Sequence, residues 1–80
     1  MTRVRVLIVA DDGTGPAITL YKTDLTLYDR RDAPALLFVA AAFRDLHLAT
    51  WQGPPPDMVA EIVELDAMGR EGAVLASSGV

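Results

Sequence analysis

The chain has 80 residues, no cysteine and a formal net charge of −4, and 51% of its residues are hydrophobic. The absence of cysteine excludes disulfides and thiolate metal sites, and the acidic balance argues against a nucleic-acid-binding face. Because the chain is only 80 residues long, we expect residues 1–80 to form one small domain. Because a domain of this size has little interior, so much apolar surface predicts that some of it contacts another chain.

Two strands open the chain. Residues 3–10 alternate with Val4, Val6 and Ile8 on one face, and a turn rich in glycine follows at residues 11–16. Residues 17–21 alternate again, which predicts a hairpin. The alternation returns at residues 25–28. Either a separate third strand begins there or one long strand continues through a bulge, and we favour the third strand.

A helix is predicted over residues 33–49, with Asp32 as N-cap and Pro34 in its first turn. It begins with eleven residues that carry no strongly polar side chain, from Ala33 to Phe43. This run is too short for the roughly 18–20 residues that span a bilayer, so we expect no membrane segment. We also expect no export signal and a cytoplasmic location.

The helix is apolar nearly all round, so it needs partners on more than one side. The helical wheel predicts a core face of Leu36, Val39, Phe43 and Leu46. A surplus face is left for a second chain, and Trp51 near the helix end is a further contact candidate because tryptophan is enriched at interface hot spots. The predicted interface comprises Leu37, Phe38, Ala41, Leu48 and Trp51.

A second helix is predicted over residues 56–68, with Gly69 just beyond its end. Its acidic residues Asp57, Glu61 and Glu64 would form a docking stripe for a basic partner. A short edge strand at residues 73–76 and a frayed tail at 77–80 would complete the chain. The predicted fold is α+β, with a small antiparallel sheet covered on one face by two helices, in the order β-β-(β)-α-α-(β). Whether the second helix packs within its own chain or swaps into another is left open.

No motif predicts catalysis, a cofactor or a metal ion. Gly13-Thr14-Gly15 lacks the third glycine, the lysine and the helix of phosphate-binding loops. His47 is the only histidine, and no nucleophile stands in a suitable pattern beside it.

Three functions remain, in order of preference. The first is a small acidic protein–protein interaction module that forms homo-oligomers, with a dimer favoured. The second is an acidic inhibitor or decoy protein, of the type encoded by phages and mobile elements, which would present the stripe and the turn carboxylates Asp11 and Asp12 to a basic target. The third is an enzyme whose site is built across an oligomer interface.

Overall fold

The computed structural model describes residues 1–11 and 13–79. Two strands, β1 (Thr2–Asp11) and β2 (Ile18–Leu27), are followed by a short 3₁₀ turn (Arg30–Asp32) and by helix α1 (Ala33–Ala49). The strands β3 (Asp57–Leu65) and β4 (Glu71–Gly79) complete the order β-β-α-β-β. The helix has the predicted limits. Asp32 occupies its N-cap position, but the side chain of Asp32 forms no capping hydrogen bond.

The four strands form one antiparallel sheet in the order β2-β1-β3-β4. β1 and β3 are central, and they are paired from Val4 opposite Glu64 to Asp11 opposite Asp57. β2 and β4 are the edges. Because helix α1 connects β2 to β3, the chain crosses over β1 once. β2, the second strand of the β1–β2 hairpin, is therefore an edge strand, and the crossover connection through α1 starts from it.

The predicted second helix is wrong: residues 57–65 form strand β3. Both periodicities fit this segment, since Met58, Ile62 and Leu65 have helical spacing while Met58, Ala60 and Ile62 alternate. The alternating set is the one that is fully buried, at 0% exposure. Its β-branched residues favour a central strand with apolar residues on both faces. Over residues 1–11 and 13–79 the fold is thus a four-stranded sheet with a single α-helix, mostly β, and not a sheet covered by two helices.

Two further expectations at the strands change. Residues 25–27 belong to β2, which is one long strand with a register shift opposite Ile8 and Val9 and not two strands. The edge strand expected at residues 73–76 exists, but it extends from Glu71 to Gly79. Residues 77–79, expected to fray, are part of β4, and residue 80 lies outside the described residues.

Helix α1 packs on one face of the sheet, mainly over β3 and β4 and much less over β1. Small residues make this approach close, since Ala33 and Ala40 are buried against the sheet. Arg44 is the one buried charged side chain among the described residues, and its Nη1 donates to the backbone oxygen and to Oγ of Ser78 in β4. Arg44 therefore holds the helix toward the β4 side of the sheet.

The opposite face of the sheet carries an ionic cluster. Arg5 donates to both carboxylate oxygens of Asp24 at 2.7 and 3.0 Å and to Glu71 at 3.3 Å. Its hydrogen bonds hold the pKa of Asp24 below its usual range. The neighbouring Val63 is buried although none of the described residues form a helix over this face. Charged side chains thus cover part of the face that α1 leaves free.

Candidate interaction surface

An apolar groove runs along the side of α1 that faces β2. α1 lies mainly over β3 and β4, and the β1 residues on this face are buried as well, since Ile8 is 0% and Val6 5% exposed. On β2, by contrast, Tyr21, Thr23 and Leu25 remain partly exposed on the same face. The groove has a volume of about 480 Å³. Its floor includes Ile8, Thr23 and Leu25, and its helical wall is formed by four residues, Leu36, Val39, Phe43 and Leu46.

The wall residues were expected to form the core face of the helix, but Val39 and Leu46 are largely open to solvent and Phe43 is partly open. Val39 is 64% exposed, Leu46 58% and Phe43 40%. The spacing of the four wall residues is three, four and three positions, which is the spacing of a helix–helix seam. The structure therefore leaves this apolar stripe only partly covered by its own chain, with Val39 and Leu46 the most exposed residues.

An aromatic contact links the helix to the edge strand at the groove. The rings of Phe43 and Tyr21 meet edge to face, with centroids 5.0 Å apart. On its other side Phe43 contacts the ring of His47, also at 5.0 Å. Edge-to-face pairs contribute roughly 0.5–1.5 kcal/mol beyond their buried area. The Phe43–Tyr21 pair thus connects the helical wall of the groove to the edge strand β2.

The residues predicted as an interface are divided by the structure. Leu37 packs against the buried cluster around Val4 and Ile62, Leu48 packs against the one around Ile8 and Met58, and both are half-buried, as is Ala41. Phe38 is 81% exposed and points away from the sheet side of the helix. Trp51 is partly exposed and lies with Pro54 and Pro56 against the ends of β1 and β2.

Sequence reasoning missed Val39, Phe43 and Leu46 as interface candidates. A helix that is apolar nearly all round does not by itself reveal which side meets its own sheet. The signal that could have identified the side of α1 facing the sheet was residue size. Ala33 and Ala40 lie on the same side of the helix as Arg44, and small residues permit the closest approach to a sheet.

The predicted acidic stripe does not exist as one surface. On strand β3 alternate side chains point to opposite faces, so Asp57 and Glu61 lie on one face and Glu64 on the other. Glu64 is 3.7 Å from Arg30. The three carboxylates are therefore not presented together to a basic partner.

The residues considered for chemistry do not assemble. The Nε2 atom of His47 is buried, with no hydrogen-bond partner among the described residues. Asp11 accepts a hydrogen bond from the backbone N–H of Gly13, as a turn residue does, and Asp12 lies outside the described residues. In the part of the chain that the structure describes, no three potential ligands from histidine, aspartate and glutamate come together as a metal site.

Within the same residues, α1 is too short to cross a bilayer.

The open apolar area beside α1 is large for so small a molecule. Four residues at the groove (Val39, Leu46, Phe43 and Tyr21), together with Phe38 on the side of the helix remote from the sheet, expose on the order of 500 Å², if aromatic side chains present about 150–250 Å² each and aliphatic ones somewhat less. The largest apolar patch on a typical monomer is about 300–600 Å² and is often functional. A standard interface buries about 800 Å² per partner. The patch therefore provides most of the apolar core of such an interface.

Comparison with known proteins adds no further constraint, since no protein-family model, no curated protein and no solved structure matches the chain.

Proposed function

We propose that this protein is a small protein–protein interaction module that works as a homodimer and has no catalytic activity of its own. The observation that carries the proposal is the apolar groove with its exposed helical wall, Val39, Phe43 and Leu46. The lack of cysteine suits work in a reducing compartment such as the cytoplasm.

Energetics favour covering this surface. Burying about 500 Å² of apolar area on each copy would contribute on the order of 25 kcal/mol for the pair at about 25 cal/mol per Å². Association costs roughly 4–15 kcal/mol in lost freedom, with further losses from ordering side chains. The apolar gain thus exceeds the cost of association, which favours covering this surface. A second copy is the partner always present at the same concentration as the chain itself.

Light scattering on a sizing column tests this proposal. We expect the wild-type chain to elute with twice its mass of 8.6 kDa at tens of micromolar. Val39→Asp places a charge in the groove wall and should give a folded monomer with unchanged far-ultraviolet circular dichroism. Met68→Asp is the control, because Met68 is 77% exposed in the β3–β4 turn. A wild-type mass of 8.6 kDa, or equal behaviour of the two variants, would contradict the proposal.

A further inference from the structure

We infer that the groove is covered by the α1 helix of a second copy, with the two chains packed face to face and their helices side by side between the two sheets. This inference rests on the proposed function, since it specifies how the homodimer forms. Each helix would contact its own sheet, the partner's helix and the partner's sheet.

The spacing of the layers supports this arrangement. α1 lies chiefly over β3, and β2 is two strands away in the sheet order β2-β1-β3-β4. Two strand spacings are about 9.6 Å. Packed helices lie about 8–10 Å apart. A second helix beside α1 would therefore lie over β2, where Tyr21, Thr23 and Leu25 remain partly exposed on the helix side of the sheet.

Symmetry then fixes the direction of the partner helix. The two-fold axis that exchanges the helices and also exchanges the sheets runs along the helices, so the helices are parallel. Each wall residue then meets its own copy. The spacing of three, four and three positions through Leu36, Val39, Phe43 and Leu46 is that of the seam between two parallel helices.

The distribution of polarity around α1 agrees with this packing. Steps of about 100° per residue put Asp45 on the side of the helix that faces away from the groove. Its side chain is 62% exposed and lies 3.0 Å from Arg44. The side remote from the helix's own sheet carries Ala35, Ala42 and Ala49, which are all exposed. The helix and the sheet of the second copy would thus meet apolar residues of α1, and the carboxylate of Asp45 would remain toward solvent.

Pairing of the β2 edges is the strongest rival. Antiparallel pairing about Thr23 would put Lys22 opposite the partner's Asp24, which is a favourable charge match. In the resulting eight-stranded sheet, however, the two helices would be separated by five strand spacings, about 24 Å. Val39 and Leu46 would then remain exposed. The rival leaves uncovered the very surface that calls for a partner, so face-to-face packing is favoured.

Engineered cysteines distinguish the arrangements, because the natural chain has none. Val39→Cys faces its own copy across a parallel seam and should form a covalent dimer under mild oxidation, since a disulfide needs Cα atoms about 4.4–6.8 Å apart. Thr23→Cys should stay largely uncrosslinked, as should Met68→Cys in the β3–β4 turn. Leu46→Cys repeats the test at the last seam position, in case Val39→Cys does not fold.

Each other outcome overturns the inference. Efficient crosslinking of Thr23→Cys alone means that β2 edges pair. Crosslinking only when Val39→Cys and Leu46→Cys are combined in one chain means that the helices are antiparallel. A wild-type dimer in which no seam cysteine crosslinks refutes the packing but leaves the proposed function standing. A wild-type monomer refutes both.

Discussion

Leu46→Ala tests the role of the groove wall quantitatively. Leu46 is 58% exposed in the single chain, so that share of its burial becomes available only in the dimer. Fully burying a leucine contributes about 1.5–3 kcal/mol, so the share is about 1–1.7 kcal/mol per copy and about 2–3.5 kcal/mol for the symmetric pair. At 1.4 kcal/mol per factor of ten, the dimer dissociation constant should rise about 30–300-fold.

The matched control is Met68→Ala, because Met68 is of similar size and even more exposed but does not line the groove. Sedimentation equilibrium gives the dissociation constant of each variant, and urea unfolding of dilute samples gives the stability of the single chain. We expect Met68→Ala to leave the constant within about threefold of wild type. A dissociation constant that Leu46→Ala fails to raise, or that both variants raise alike, would refute the role of the groove.

Three further predictions concern the stability of the single chain, each measured by urea unfolding. Arg44→Met removes charge-assisted hydrogen bonds to Ser78 and should lower the free energy of unfolding by about 2 kcal/mol. A decrease of less than about 0.5 kcal/mol would show that Arg44 does not fix the helix to β4. The carboxylate of Asp66 accepts backbone N–H groups of Arg70 and Met68, which lowers its pKa, so the stability it contributes above about pH 3.8 should disappear as the pH falls through its lower folded pKa. Asp66→Asn should remove that part of the acid dependence, and an unchanged profile between pH 5 and 2 would contradict the assignment. Gly69 has φ of +78° in the β3–β4 turn, so Gly69→Ala should cost about 1 kcal/mol, whereas a neutral result would show that the turn relaxes.

The sequence was sufficient to predict β1, the first part of β2 and the limits of α1. Period-two alternation in β1, together with Pro34 at the start of the helix, is a local signal that tertiary contacts did not override. The segment from Asp57 to Leu65 is different, because its acidic residues fall at helical spacing while its buried residues alternate. The decision between helix and strand there depended on pairing with β1, a contact more than 45 residues away that no local pattern records.

The candidate surface was predicted in kind but not in position. An all-round apolar helix correctly indicated surplus apolar surface, yet the side assigned to the core was the side that lines the groove. The orientation of α1 follows from the small residues Ala33 and Ala40 and from the reach of Arg44 to Ser78. The contact with Ser78 depends on strand β4, which extends from Glu71 to Gly79, whereas the sequence predicted a strand only at residues 73–76.

Sedimentation equilibrium of the wild-type chain across a range of salt concentrations tests the central claim most directly. An interface built from Val39, Phe43 and Leu46 gains little from charge, so the dimer of two 8.6 kDa chains should persist from about 50 mM to 1 M salt with a nearly constant dissociation constant. A mass of 8.6 kDa at every protein concentration up to about 100 μM would contradict the homodimer. A dimer that dissociates steeply as salt is added would contradict the apolar groove as its basis.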